Sequence, residues 1–211
     1  MNVLVACEES QTVCKSFREL GHNAFSCDIQ DCSGGFFEWH IKGDVLSLLD
    51  GDVGFVTMDG EFHCLYGQWD LIIAHPPCTY LSFAGNRWLS VPGRLESRAA
   101  AANFFMRFVN ASCDCIAIEN PVGYMNSCYR KPDQIINPYQ FGDSFRKRTC
   151  LWLKNLPLLQ PDYVVPPPEP NYIDSNGKKR YFTECCSSQK ARSKTFPGIA
   201  AAMAWQWSIR L

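Results

Sequence analysis

An open α/β sheet, mostly parallel and with helices on both faces, is the architecture the sequence predicts. Three observations predict it. Continuous apolar runs recur at VLVAC (3–7), DLIIA (70–74) and CIAI (115–118). They fit strands buried on both faces, as parallel strands are. Helical periodicity is interleaved with them, first at Val13, Phe17 and Leu20, then over Glu96–Val109. Strand, helix and strand follow one another by Asp28, which makes a βαβ unit.

The elements are expected in this order. Ser10 caps the first helix and Gly21 ends it, because glycine takes the left-handed conformation that closes a helix. Ala24–Asp28 is the second strand, and Gly43-Asp44-Val45 closes the next segment. Phe55–Met58 and Glu61–Tyr66 flank Asp59-Gly60, a hairpin turn signal. Asp70–Ala74 stops at Pro76-Pro77. Cys115–Ile118 runs into Glu119-Asn120-Pro121, and Thr149–Leu153 follows a basic cluster. Residues Pro161–Tyr172 hold several prolines and read as loop or extended chain. Ile199–Trp207 is a closing helix on which Trp205 or Trp207 packs.

The composition fits one domain. Its 211 residues are 46 % apolar, enough to bury a core without crosslinks, and 19 % charged, too apolar a balance for intrinsic disorder. No apolar run is long enough to span a membrane, and MNVLVACEES lacks the basic start of a signal peptide. The twelve cysteines include no CxxC pair and the four histidines no HxxxH, so reduced thiols, no metal site and a cytoplasmic or nucleoid-associated setting are expected. The net charge of −1 conceals a division: residues 1–70 carry twelve acids against three bases, and the remainder nine against seventeen. One part suits a cationic or hydroxyl-bearing ligand and the other a polyanion, unless the division is only uneven surface charge.

Ligands of an open α/β sheet sit at the carboxyl ends of its strands. Glu8 and Glu9, Asp28, Cys78 and Glu119 all fall at such ends. Cys78 follows a rigid Pro-Pro, which suits either a held nucleophile or an inert buried thiol. Burial of Glu119 would raise its pKa and suit it to donate a proton to a ring nitrogen, or it caps a neighbouring helix. Arg146, Lys147 and Arg148 meet an anion or a carbonyl oxygen, or form a solvated charge run.

In combination the motifs resemble the DNA (cytosine-5) methyltransferases. The matching segments are DLIIAHPPCT (70–79), IAIENP (116–121) and FGDSFRKRTCLWL (141–153), with weaker matches at VLVACEES, Asp28, GDV (43–45) and TFPGIAAAMA (195–204). The resemblance implies a Rossmann-like S-adenosylmethionine-dependent methyltransferase fold. It implies that the Cys78 thiolate adds to cytosine C6, that Glu119 bonds N3, that Arg148 meets O2 and that Arg146 supports the loop. A duplex substrate would present a flipped base. S-adenosylmethionine would be held by Ala6, Cys7, Glu8, Ser10, Asp28 at the ribose, Ile29, Asp44 at the adenine amine, Val45 and Pro76. Thr79, Arg87, Asn120, Lys178, Lys179 and Arg180 are the expected DNA contacts.

The sequence departs from the family in three motifs and, most of all, in size. The turn after the first strand, Ala6-Cys7-Glu8-Glu9-Ser10, has no glycine; Thr79 follows the cysteine; and Pro197-Gly198 stands in the last motif. Residues 154–194 are too few for a full target recognition domain, and a proline-rich stretch and a basic, aromatic tract stand in its place. Specificity would then be short or supplied by a separate partner or a homodimer. Two other readings stay open: C5 modification of a free pyrimidine nucleotide or single-stranded nucleic acid, and a silent nucleic-acid-binding module.

Overall fold

The computed structural model describes residues 1–181 and 194–209. A seven-stranded sheet forms its centre, in the order β3-β2-β1-β6-β7-β9-β8. Its strands are β1 (Asn2–Ala6), β2 (Asn23–Asp28), β3 (His40–Lys42), β6 (Leu71–Ala74), β7 (Ile116–Pro121), β8 (Gln134–Ile136) and β9 (Thr149–Lys154). The first five in that spatial order are mutually parallel, while β9 runs antiparallel to both β7 and β8. Outside the sheet lie the hairpin β4 (Val53–Val56)–β5 (Phe62–Leu65) and the small ribbon β10 (Tyr172–Ile173)–β11 (Lys179–Arg180).

Alternation along each strand divides the core into two layers. Val3, Val5, Leu71 and Ile73 pack against α1 (Thr12–Glu19) and the closing helix, here α4 (Pro197–Ser208), through Val13, Phe17, Ile199, Met203 and Trp207. Leu4, Ile72, Ile116 and Ile118 pack on the other face against Phe105 and Phe108 of α2 (Arg94–Val109). A fourth, short helix, α3 (Met125–Cys128), follows β7 and adds Met125 to the same layer. Each such fully buried side chain contributes about 1.5–3 kcal/mol of transfer free energy. Helices therefore cover both faces, as the two-sided apolar runs require. Trp207 is fully buried and Trp205 is 59 % exposed, which decides between the two tryptophans.

The start of α1 departs from expectation. Gln11, not Ser10, precedes the helix, in a left-handed conformation with φ 59°. Ser10 Oγ pairs with Thr12 Oγ1 at 3.1 Å and caps nothing. The exposed N–H groups of the first turn go instead to Glu8, whose carboxylate accepts from Val13 N at 2.7 Å and Cys14 N at 3.1 Å. A carboxylate reaching back to the turn satisfies two orphan donors where a serine hydroxyl would satisfy one. Gly21 does end the helix, at φ 82°. Asp59-Gly60 does turn the hairpin, with Thr57 N and Glu61 O closing a somewhat longer loop at 3.0 Å.

Among the described residues no helix is long and apolar enough to cross a membrane. The ten cysteines described are all free thiols. Cys185, Cys186, Phe182, Lys190 and Arg192 of the basic tract lie outside the described residues.

Candidate active site

Strand register sets the site. Ala6 pairs with Cys27 on one side and Ala74 on the other, and Ala74 pairs with Ile118. The residues that follow, Cys7, Asp28, His75 and Glu119, therefore leave the sheet along one rim. The chain turns outward from β1 to β2 and β3, then crosses back to β6 and β7. This puts a topological switch point between β1 and β6, where open α/β sheets take their ligands.

The reversed β9 brings the basic cluster to the same rim. Pro121 pairs with Thr149, so β9 begins where the parallel strands end. A strand parallel to its neighbours would have carried Arg146, Lys147 and Arg148 to the opposite edge of the sheet.

Two segments are clamped together at this rim. His75 Nδ1 lies 2.9 Å from Glu119 Oε2, and Asn120 Nδ2 donates to Pro76 O at 2.7 Å. Tyr124 N donates to Leu81 O at 2.7 Å, and Ser82 bridges Gly123. Between these staples Cys78 is half-buried, and its carbonyl accepts from Leu81 N and Ser82 N at 3.0 and 2.9 Å. Gly123 is required by closeness alone: a Cβ there would meet Leu81 O at 2.1 Å. Arg98, buried on α2, braces the loop from behind by donating Nε to Tyr80 O at 3.0 Å and lying 4.8 Å from the Tyr124 ring.

Glu119 departs from its expected titration. Burial does raise its pKa, but the His75 hydrogen bond and charge, the Lys147 charge and the Thr195 hydroxyl outweigh that and hold it at about 2. His75 is pulled down by burial and, more strongly in sum, pushed up by Glu119 and Glu8 against Lys147. Glu8 is raised by burial. The closing segment reaches this cluster too, since Thr195 Oγ1 donates to Glu119 Oε2 at 3.0 Å. It is anchored by Gly198, whose N–H donates to Asp143 Oδ2 at 2.8 Å and where a Cβ would stand 1.7 Å from Phe141 O.

Of the three cations, Lys147 is the one whose charge acts on Glu119 and His75; its Nζ donates to Lys194 O at 3.3 Å. Arg148 is exposed, and among the described residues no hydrogen bond or ion pair holds it. Arg146 donates to Tyr181 Oη at 2.8 Å and lies 4.8 Å over that ring, joining the rim to the β10–β11 ribbon. On that ribbon Lys178 and Lys179 are exposed, and Arg180 pairs with Asp174 at 2.8 Å. Arg87 is exposed and lies 5.0 Å over Trp88, beyond exposed Thr79.

The other half of the rim is acidic. Cys7 takes a left-handed conformation, φ 59°, that costs a non-glycine residue about 1–2 kcal/mol. Its thiol is pushed up by burial first, and then by the charges of Asp28, Cys27 and Asp44. Asp28 uses Oδ1 for Gln30 N at 2.9 Å, and Asp44 uses Oδ1 for Leu46 N at 3.0 Å. The second oxygen of each accepts nothing among the described residues. Ile29 beside them is 76 % exposed, whereas Ala6 and Val45 are core and Pro76 is buried. A cleft of about 380 Å³ opens nearby between Ser10, Gln11, Lys15, Phe36 and Pro197; it lies beside α1, away from Cys78.

The predicted site residues thus divide. The structure brings Cys78, Glu119, Asn120 and Pro76 to one loop pair, and Cys7, Asp28, Ile29 and Asp44 to the adjoining rim. It commits the Glu8 side chain to α1 and leaves Arg148 in solvent. His75, Lys147, Thr195 and Arg98 complete the site; His75, Lys147 and Thr195 stood inside motifs that the sequence marked (HPPC, RKR and TFPGIAAAMA), though none was singled out for this role. Among the described residues no cluster of three or more metal-ligating side chains occurs. Comparison with protein-family models and with curated proteins returns no match.

Proposed function

We propose that the chain is an S-adenosylmethionine-dependent methyltransferase acting on C5 of cytosine in DNA, with a Rossmann-like methyltransferase fold. The observation that carries this reading is the pair of staples, His75–Glu119 and Pro76–Asn120, that fixes the Cys78 loop beside Glu119 at a strand-end crevice. A nucleophile and a ring-nitrogen partner held by one rigid support meet the demand of covalent catalysis on a flat heterocycle.

The residues at the β1–β2–β3 rim fit the proposed cofactor. Asp28 and Asp44 each keep a carboxylate oxygen for the ribose hydroxyls and the adenine amine, and exposed Ile29 offers an apolar face for the base. The acidic surroundings favour a sulfonium cation. When bound, the cofactor supplies the electrophilic methyl group. Cys78 Sγ bonds C6 and turns C5 into an enamine carbon able to accept that group. Glu119 steadies N3, and Arg148, exposed at the rim, is available to the O2 carbonyl. Solvent water takes the C5 proton, and the electron pair it leaves re-forms the C5–C6 double bond as the Sγ–C6 bond breaks and restores the Cys78 thiolate.

Arg146 with Tyr181, Arg87 with Trp88, and exposed Lys178 and Lys179 supply phosphate and stacking contacts. A single-stranded or nucleotide substrate is the second reading. It is favoured by the brevity of β10 and β11, two residues each, as a recognition element. The test is methyl transfer from labelled S-adenosylmethionine to duplex DNA, single strands and dCMP. Label in C5 of duplex cytosine is expected. Transfer only to dCMP or single strands moves the reading to the second substrate class, and transfer to none refutes it.

A further inference from the structure

We propose that His40 is a positioning residue for the cofactor site: from β3 it pins the turn Asp28-Ile29-Gln30, and through that turn the carboxylate that receives the ribose. The proposal rests on the reading of Asp28 and Ile29 given above. His40 touches neither the proposed cofactor nor the reacting atoms.

His40 opens β3 and is wholly buried. Its register partner on β2 is Ser26. Both ring nitrogens have a partner within the protein. Nδ1 lies 2.8 Å from Ser26 Oγ, and Nε2 lies 3.0 Å from the carbonyl oxygen of Gln30. Burial pulls the ring's pKa below its usual value, against the Gln30 carbonyl and the charges of Asp28, Asp31 and Glu9, so the ring is neutral at pH 7. A carbonyl can only accept. The single proton is therefore on Nε2, and Nδ1 accepts from the Ser26 hydroxyl.

The bond to Gln30 matters because of what Gln30 does next. Its N–H donates to Asp28 Oδ1 at 2.9 Å, which turns the carboxylate so that Oδ2 is left over. Ile29, between them, is exposed and adds little packing to hold the turn. Two other ties join the turn to the β3 segment. Gly43 N donates to Asp28 O at 3.0 Å and fixes the start of the turn. Lys42 pairs with Asp31 at 2.6 Å, but both side chains are exposed, and such a pair holds weakly in water. His40 supplies the buried tie to the far end. Without it Gln30 is free to move and the Asp28 carboxylate is free to rotate.

An apolar side chain of similar size would fill the same space. The Ser26 hydroxyl would keep an acceptor in Trp39 O, 3.3 Å away, while the Gln30 carbonyl would lose its ring partner. What the imidazole adds beyond packing is the donor to Gln30.

Calorimetric binding of S-adenosylmethionine to the full chain tests this. His40→Leu should weaken binding about threefold to tenfold, the loss of one buried hydrogen bond, with unchanged circular dichroism. His40→Gln keeps an N–H for Gln30 O and should stay within about twofold of wild type. In an Asp28→Ala background His40→Leu should cost nothing further, because His40 acts through that carboxylate. Losses that add in the double variant, a His40→Gln as weak as His40→Leu, or a folded His40→Leu of wild-type affinity overturn the positioning role alone. ¹⁵N NMR of the wild-type imidazole rings, with His40→Gln for assignment, decides the point even where His40→Leu does not fold. A neutral ring with its proton on Nε2 is expected at pH 7, and a bare Nε2 overturns the proposal. A folded wild type that does not bind S-adenosylmethionine overturns the cofactor reading, and the role of His40 with it.

Discussion

Gly123→Ala separates the two segments that the site depends on. The added Cβ would stand 2.1 Å from Leu81 O and 3.0 Å from Ser82 Cα, where ordinary contact begins at 3.4 Å. Backbone meets backbone here, so no side chain can swing away. The loop after Cys78 must move from β7 by over an ångström, which stretches the 2.7 Å bond from Tyr124 N to Leu81 O. The lost bond costs about 1 kcal/mol and the overpacking about 1–3 kcal/mol, so the chain should lose roughly 2–4 kcal/mol. Urea unfolding should show a midpoint lower by about 1 M. Methyl transfer should fall by about 100-fold or more in the fraction still folded, because an ångström of misplacement is enough to spoil an attack geometry. A midpoint within ~0.2 M of wild type, together with unchanged transfer, would refute the clamp.

Three other perturbations probe separate parts of the account. Cys78→Ser should lower transfer at least ~1,000-fold while stability stays within ~0.5 kcal/mol, since the thiol is only half-buried; wild-type turnover would remove Cys78 from the chemistry. Asp28→Ala should weaken S-adenosylmethionine binding about tenfold to a hundredfold by calorimetry, as loss of a charged hydrogen-bond acceptor does; unchanged affinity would exclude Asp28 from the ribose site. Glu119 is held at about 2, below its usual 4.5, so it adds stability that is present above pH 4.5 and drains away as pH falls toward 2. Between pH 4.5 and 2.5 the urea midpoint of the wild type should fall more steeply than that of Glu119→Gln, and parallel curves would contradict the ion pair.

The central strands were legible because burial on both faces writes itself as unbroken apolar runs. VLVAC, DLIIA and IAI needed no partner to be recognised. The short edge strands were not: β3 is three residues, His-Ile-Lys, and β8 is Gln-Ile-Ile, too brief for any periodicity to show. The reversal of β9 was hidden for a different reason. TCLWL reads the same in either direction, and only the pairing of Pro121 with Thr149 reveals which end meets the rim. Glu8 shows how a local rule can lose to a longer reach: the serine beside the helix is the ordinary cap, yet a carboxylate further upstream satisfies two donors. The titration of Glu119 depends on His75, Lys147 and Thr195, which come from separate parts of the chain. Burial was foreseeable from the strand, whereas the compensating partners belong to tertiary structure.

The central claim is that the Cys78 sulfur bonds a pyrimidine ring steadied by Glu119. The most direct measurement is incubation of the chain with 5-fluorocytosine duplex DNA and S-adenosylmethionine, followed by denaturing electrophoresis and peptide mapping. Fluorine cannot leave C5 as a proton does, so the adduct should persist as a slow-migrating species whose modified peptide contains Cys78. An adduct on another cysteine, or none from a folded chain that methylates ordinary cytosine, would contradict the account.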